Sequence, residues 1–137
     1  AAQAPDVIIG TAAVADVRPA APIAGKAAKA DLPDAISLVA NPDILAGLNA
    51  AAPEGCFKVG FALAADDGLD AALRKLTAKR CDLVVLNSLA DKGAGFGHTT
   101  NQVRFVNGPD RFDSFELKSK EAVAADLADV IQSRLLQ

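Results

Sequence analysis

The sequence predicts an α/β fold with a largely parallel sheet, and three segments of the chain carry this prediction. Two short apolar runs, Val59–Leu63 and Leu83–Leu86, are bounded by turn residues, as is typical of strands buried on both faces. Between them, apolar residues recur at helical spacing and form one stripe: Leu69, Ala72, Leu73 and Leu76. Together these segments predict a βαβ unit with a right-handed crossover.

The beginning of the chain predicts a strand followed by a long loop. Val7–Ile9 indicates a buried strand, and its abrupt start suggests that the chain is the back part of something longer. A short helical or turn segment is expected next, and the Ala- and Pro-rich residues 17–33 then predict a mobile flap. Lys26 and Lys29 lie within this segment. It is either a surface linker or a flap that brings a cation to an anionic substrate.

The next segment predicts a short strand, Ile36–Val39, and then a helix with a clear start. Asn41 is expected to be the N-cap and Pro42 the first helical residue, with Asp43 placed favourably for the helix dipole. The apolar face of this helix is expected to consist of Ile44, Leu45 and Leu48. Such a helix start could hold a phosphate, although capping alone explains these residues equally well.

A glycine-rich loop, Asp91–His98, follows the second strand of the βαβ unit. Its spacing is GxGxG, and a predicted strand, Gln102–Val106, comes after it. A dinucleotide-binding fingerprint requires GxGxxG leading into a helix, so a NAD or FAD site is poorly supported. His98 has no nucleophile or carboxylate context in the sequence and is therefore expected to be an exposed loop residue.

The chain is expected to close with an antiparallel hairpin and a helix. The hairpin strands are predicted at Val103–Val106 and Ser114–Leu117. Ser119 should cap the helix, with Glu121 in its first turn and Arg134 in its last. The core stripe of the helix is expected to be Val123, Leu127, Val130, Ile131 and Leu135.

Composition excludes several classes of protein. The 137 residues fit one domain, 51% of them are hydrophobic, and the net charge is −3 with a pI near 5.0. The charge gives no reason to expect binding to nucleic acid or to an anionic membrane, and no apolar run is long enough for a membrane span. Cys56 and Cys81 form no CxxC pair, and one His leaves no metal-ligand cluster. Reduced thiols in a cytoplasmic protein are therefore expected.

Two lysines follow the predicted helical stripe. Lys75 and Lys79 are four residues apart and share one helix face. Parallel sheets bind ligands at the carboxyl ends of their strands, whereas this helix runs back from that edge. Pattern alone therefore favours a solvated face for both lysines.

Six segments in register resemble the phosphopantothenoylcysteine synthetase family. They are AAVADVRP from Ala12, the Lys26/Lys29 loop, NPDILAGL from Asn41, KVGFALA from Lys58, RKLTAKRCDLVVLNSL from Arg74 and GAGFGHTTNQV from Gly93. This family is the ligase half of a bifunctional coenzyme A biosynthesis protein that also carries a flavin-dependent decarboxylase. The resemblance implies a Rossmann-like three-layer fold and a cytoplasmic homodimer, with residues 1–137 forming the C-terminal portion of the synthetase domain.

The resemblance also implies a reaction and its site. Such synthetases join 4′-phosphopantothenate to cysteine through an acyl-cytidylate, consuming CTP and releasing CMP and pyrophosphate. Lys26 matches the catalytic flap lysine. The positions that match nucleotide-binding residues are Gly10, Thr11, Ala12, Asp16, Lys26, Pro42, Asp43, Ile44, Leu45, Phe61, Lys75 and Lys79. Mg²⁺ is implied without protein ligands, ATP is the alternative nucleotide, and FMN is implied only if a decarboxylase domain exists elsewhere in the parent protein.

The sequence departs from the family pattern at several points. Gly25–Lys29 keeps two lysines where the family's flap has more, Gly10 and Thr11 stand where Ala-Ala is common, and Ala64 stands where an acidic residue often follows the strand. The family's N-terminal βα units are absent. The alternative is therefore a non-catalytic dimerisation or assembly half of a split or truncated synthetase. A Rossmann-type nucleotide- or flavin-binding reductase is a third hypothesis, which the absent GxGxxG disfavours.

Overall fold

The computed structural model describes residues 4–29, 32–64, 66, 68–88 and 99–136. The strands are β1 (Val7–Gly10), β2 (Val17–Pro19), β3 (Leu38–Ala40), β4 (Phe57–Ala64), β5 (Leu83–Ser88), β6 (Thr100–Asn101), β7 (Val103–Gly108), β8 (Arg111–Ser114) and β9 (Lys118–Ser119). The helices are α1 (Ile44–Ala51), α2 (Leu69–Ala78) and α3 (Lys120–Leu135). The chain forms two compact units: a sheet unit, Ala1–Thr11 with Leu45–Gln137, and a ribbon unit, Ala12–Ile44.

The sheet unit is built on five strands in the order β1-β4-β5-β7-β8. β1 pairs with β4 and β4 with β5 in parallel, whereas β5–β7 and β7–β8 are antiparallel. The predicted βαβ unit is therefore present as β4–α2–β5. The α/β fold with its parallel sheet and terminal antiparallel strands is confirmed.

Helices cover both faces of this sheet, because successive side chains of a strand point to opposite sides. On one face, α3 contributes to a core of Val59, Leu83, Val85, Val103, Phe105, Val123 and Leu127. On the other face, α2 contributes to a core of Ala72, Cys81, Val84, Leu86 and Val106. The result is the expected three-layer arrangement.

The start of α3 follows the sequence closely. Ser119 Oγ accepts a hydrogen bond from the N–H of Ala122 at 3.1 Å, so Ser119 is the predicted N-cap. Two hydrogen bonds lower the pKa of Glu121. The larger effect comes from a bond with its own backbone and the smaller from a bond with the Ser119 side chain. Val123 and Leu127 are buried, but Leu135 is 49% exposed because the helix extends past the sheet core, so its place in the core stripe was wrong.

The predicted hairpin is present with shifted bounds. Its second strand, β8, ends at Ser114, and Gly108 pairs with Arg111 across a turn at Pro109 and Asp110. Because the turn is shorter than predicted, β8 occupies Arg111–Ser114 instead of the predicted Ser114–Leu117. Residues beyond it form β9, which pairs with β6 in a separate two-stranded sheet.

The ribbon unit contains β2 and β3 as an antiparallel pair. β3 is the strand predicted at Ile36–Val39, and β2 occupies the first residues of the predicted flap. Arg18 Nη1 donates to Asn41 Oδ1 at 2.9 Å, and Asn41 Nδ2 donates to the Ala15 carbonyl at 2.7 Å. No α-helix forms between β1 and β2, so the segment there is not helical.

The start and the apolar face of α1 differ from the predictions. α1 begins at Ile44, and the side chain of Asn41 bonds within the ribbon unit, so Asn41 is not its N-cap and Pro42 is not its first residue. Ile44 and Leu48 are 54% and 52% exposed, whereas Asn49 is buried. Leu45 packs against the core as predicted, so the inward face of α1 is formed by Leu45 and Asn49 rather than by all three apolar residues.

Some predictions concern residues outside the described ranges. The glycine-rich loop, Asp91–His98, lies wholly outside these ranges. Within the described ranges, no helix is both long and apolar enough to cross a membrane. Cys56 and Cys81 are free and buried.

Candidate functional site

Two glycines lie side by side on neighbouring strands and leave a patch of sheet without side chains. Gly10 of β1 pairs with Gly60 of β4, and we call this pair the glycine floor. A Cβ at Gly10 would lie 2.7 Å from Leu45 Cδ1, and one at Gly60 would lie 3.4 Å from Leu45 Cδ2. Leu45 of α1 therefore sits directly on the floor, in space that larger residues would fill.

Lys75 of α2 reaches the same patch on the same face of the sheet. Its Nζ donates a hydrogen bond to the carbonyl oxygen of Phe61, and its Cε lies 3.9 Å from the position of a Cβ at Gly60. Lys75 is half-buried, so the solvated face that pattern alone favoured is wrong for this residue. The ammonium group is anchored on the backbone of β4 beside the glycine floor.

Phe61 contributes to this patch through its backbone. Its carbonyl accepts the Lys75 hydrogen bond, while its half-buried side chain packs against the core on the α3 face of the sheet. The aromatic ring and Lys75 therefore belong to opposite faces.

Lys79 lies at the end of α2, where the backbone is tightly bonded. Its N–H donates to the Lys75 carbonyl at 2.9 Å, and its own carbonyl accepts from Asn49 Nδ2 at 2.7 Å. Arg80 follows with φ 51°, the left-handed conformation that closes many helices. Lys79 is half-buried, and this last turn fixes its backbone relative to Lys75.

Cys81 lies beside the glycine floor, on the same face of the sheet as Leu45. Its Sγ is 3.0 Å from the position of a Cβ at Gly60 and 3.5 Å from Asn49 Nδ2. Burial raises the pKa of the Cys81 thiol, although the Asn49 hydrogen bond and the charge of Lys75 act in the opposite direction. The thiol is therefore neutral near pH 7 and packs as a small apolar group.

The structure places the remaining predicted residues in two locations. Thr11 is exposed and directly follows Gly10 in the sheet unit. The others belong to the ribbon unit: Ala12, Asp16, Lys26, Pro42, Asp43 and Ile44. All of these are exposed, and the backbone carbonyl of Asp16 accepts from the Asn41 N–H at 2.8 Å. In the sheet unit, the structure brings together Gly10, Leu45, Lys75 and the Phe61 carbonyl.

Sequence reasoning missed Gly60 and Asn49. Gly60 lies within the predicted strand, and a glycine there marks a close approach by another group. Asn49 follows Leu45 by four residues and thus shares its helix face, which was the available signal. Among the described residues, no group of three or more His, Cys, Asp or Glu side chains is arranged to hold a metal ion.

Comparison with known proteins gives consistent matches across the chain. The family model of the DNA/pantothenate metabolism flavoprotein C-terminal domain matches residues 1–135. A cysteine/cysteine sulfinic acid decarboxylase from an unknown prokaryotic organism is 42% identical over 122 residues, which cover 89% of this chain and 34% of that protein. The coenzyme A biosynthesis bifunctional protein CoaBC of Vibrio vulnificus strain YJ016 is 36% identical over 130 residues, covering 93% of this chain and 32% of that protein.

Solved structures agree with these matches. The C-terminal domain of a coenzyme A biosynthesis bifunctional protein CoaBC superposes with a TM-score of 0.67 at 30% identity, covering 95% of this chain and 57% of that chain. A DNA/pantothenate metabolism flavoprotein from Streptococcus pneumoniae, at 23% identity, shares the fold with a TM-score of 0.69, covering 94% of this chain and 61% of that one.

These matches cover most of this chain but only part of each relative. The chain spans about a third of the length of the curated relatives it matches. The family model nevertheless covers nearly all of it, and the synthetase resemblance agrees with the CoaBC C-terminal domain. The chain therefore belongs to the DNA/pantothenate metabolism flavoprotein C-terminal domain family and corresponds to part of the synthetase half of CoaBC.

Proposed function

We propose that this chain is part of a cytoplasmic ligase that joins 4′-phosphopantothenate to cysteine in coenzyme A biosynthesis. The reaction uses CTP, forms an acyl-cytidylate and releases CMP and pyrophosphate. The observation that carries the proposal is the glycine floor, over which Leu45 and Lys75 meet. A half-buried cation held on the backbone beside this tightly packed helix start suits the negative charge of nucleotide phosphates.

The predicted chemistry explains the need for lysines. Attack of a carboxylate on an α-phosphate brings anions together, and charge builds on the departing pyrophosphate. Positioned cations lower this barrier electrostatically with little covalent work by the protein. Lys75 and Lys79 would hold the nucleotide, and the exposed Lys26 would assist formation of the acyl-cytidylate.

Cofactors and assembly follow the same proposal. No three-residue metal cluster occurs among the described residues, so Mg²⁺ would be bound mainly by the nucleotide phosphates. FMN would belong to a decarboxylase domain such as the one the family resemblance implies. The free, buried cysteines are consistent with the proposed cytoplasmic location, which is a reducing compartment. The proposal includes a homodimer, as the family resemblance implies.

Calorimetric titration with CTP, and with ATP for comparison, tests the nucleotide site. We expect saturable CTP binding that weakens at least about tenfold in Lys75→Met, because a charge-assisted hydrogen bond is removed while the aliphatic stem remains. Arg74→Met is the matched control, since Arg74 is the exposed neighbour on the same helix and carries the same charge. Equal losses in both variants would refute a specific role for Lys75. If the wild-type chain bound neither nucleotide, the assembly-half hypothesis would gain.

Pyrophosphate release tests the role of Lys26. We expect Lys26→Gln to abolish release from CTP in the presence of phosphopantothenate, with the melting temperature unchanged because Lys26 is exposed. The assay requires protein that turns over before mutation. Near-normal release would remove Lys26 from the mechanism.

A further inference from the structure

Helix α1 buries an amide in place of its larger apolar side chains. Asn49 is its buried residue, at 5% exposure, while Leu48 next to it is 52% exposed. Burying an amide costs free energy unless hydrogen bonds compensate for the lost water. The bonds that Asn49 makes therefore identify what this position does.

The bonds of Asn49 are directed at the end of α2. Its Nδ2 donates to the Lys79 carbonyl at 2.7 Å and lies 3.5 Å from Cys81 Sγ. Its Oδ1 is buried and has no partner in the described part of the chain. An apolar residue would avoid that unpaired oxygen, so the donor to Lys79 is the distinctive property of this side chain.

The last turn of α2 bonds the carbonyls of Leu76 and Thr77 with its own backbone amides. The Cys81 N–H donates to the Leu76 carbonyl at 2.9 Å, and the Arg80 N–H donates to the Thr77 carbonyl at 3.2 Å. This pair of bonds around a left-handed residue is the Schellman motif. The Lys79 carbonyl lies at the helix cap, where intrahelical donors run out. Asn49 supplies a donor at 2.7 Å from a different helix, while Cys81 Sγ makes only a longer contact of 4.0 Å with the same oxygen.

One face of α1 therefore contacts both parts of the candidate nucleotide site. Leu45 covers the glycine floor, and Asn49, one turn later, holds the backbone of Lys79. We propose that Asn49 is a positioning residue for nucleotide binding, which fixes the last turn of α2 and Lys79 relative to Leu45. This inference rests on the proposed function. It assigns a role to Asn49, which is separate from the roles of Lys75, Lys79 and the flap.

Hydrogen exchange tests the positioning itself, without nucleotide. We expect Asn49→Leu, which keeps the branching at Cγ and removes the donor, to accelerate exchange of the Cys81 and Arg80 amides about tenfold by loosening the turn. Asn49→Asp, nearly the same shape, should do the same because a carboxylate cannot donate to a carbonyl. Asn107→Leu is the control, since Asn107 also buries an unpaired Oδ1 but lies on β7, two strands from β4. Unchanged exchange in both Asn49 variants would overturn the proposal.

Nucleotide titration then separates positioning from general weakening of the fold. We expect Asn49→Leu to lower CTP affinity about tenfold and to leave cytidine affinity within about twofold, because Lys79 serves the phosphates. In a Lys79→Ala background, Asn49→Leu should cause no further loss of CTP affinity, because the two residues act together. Asn107→Leu should leave both affinities unchanged.

The outcomes distinguish the two proposals. Equal losses for CTP and cytidine, or additive losses in the double variant, would overturn the positioning role while wild-type CTP binding upholds the proposed function. Failure of the wild-type protein to bind CTP or ATP would overturn the proposed function and this inference with it.

Discussion

Helices α1 and α2 lie against the same face of the sheet but are held there by different means. α2 packs through an apolar stripe that the sequence displays, with Ala72 buried and Leu69, Leu73 and Leu76 partly buried against the core. α1 places one leucine on the glycine floor and buries an asparagine. Its other large apolar residues, Ile44 and Leu48, are exposed. Apolar periodicity therefore describes α2 well and misleads for α1.

Under the proposed function, the difference marks where the candidate nucleotide site departs from ordinary packing. α2 supplies stability to the core, while α1 approaches the sheet only where two glycines permit it. The contacts of α1 are few and directed at groups of the candidate nucleotide site. Four substitutions test this contrast, in order of decreasing expected effect.

The largest effect is expected at the start of α2. Gly68 has φ 69°, and a Cβ there would lie 2.3 Å from Ala64 Cβ, which cannot rotate away. Gly68→Ala should lower the free energy of unfolding by about 3 kcal/mol, combining overpacking with left-handed strain. Chemical denaturation measures this loss. A change below about 1 kcal/mol would mean that α2 can shift as easily as α1.

The second effect concerns the single leucine of α1 on the glycine floor. Leu45→Ala should lower the free energy of unfolding by about 1 to 2 kcal/mol, less than for a fully buried leucine because Leu45 is half-buried. Leu48→Ala is the control and should change it by no more than about 0.5 kcal/mol, since Leu48 is exposed. Equal losses would show that Leu48 is also packed in solution.

The third substitution should stabilise the protein. Gly47 lies within α1, and no atom stands within 4 Å of the position of its Cβ. Gly47→Ala should raise the free energy of unfolding by about 0.5 to 1 kcal/mol, because alanine favours a helix over glycine. Gly55→Ala is the contrast: its Cβ would also meet no atom, but its φ of 82° strains any L-residue, so a loss is expected.

The smallest effect is a pH dependence at Cys81, which lies between the two helices. Burial raises the pKa of this thiol above its usual value of 9.0. The folded state therefore holds the proton more tightly than the unfolded state, and the associated stability is complete below pH 9 and lost as pH rises through the folded pKa. Wild-type protein should lose more stability above pH 9 than Cys81→Ala does. Parallel pH profiles of the two proteins would contradict this assignment.

The residues of the candidate site also differ in how far the sequence alone indicated them. Lys75 and Lys79 were assigned to the candidate site through resemblance to a family, since their helical pattern alone suggested a solvated face. The structure supplies the physical reason for Lys75, whose ammonium group bonds the Phe61 carbonyl. Asn49 was missed although its spacing from Leu45 placed it on the same helix face, because its hydrogen-bond acceptor is distant in sequence. That acceptor, the Lys79 carbonyl, lies 30 residues further along the chain.

The sequence by itself determined the elements whose signal is local. The βαβ unit, the stripe of α2 and the Ser119 cap follow from apolar spacing and from hydrogen bonds between near neighbours. Only the tertiary structure decided which face of α1 is buried, that β2 and β3 form their own ribbon, and that Asn41 bonds Ala15 and Arg18. These features depend on partners distant in sequence; the buried face of α1, for example, follows from the pairing of Gly10 with Gly60, which leaves room for Leu45.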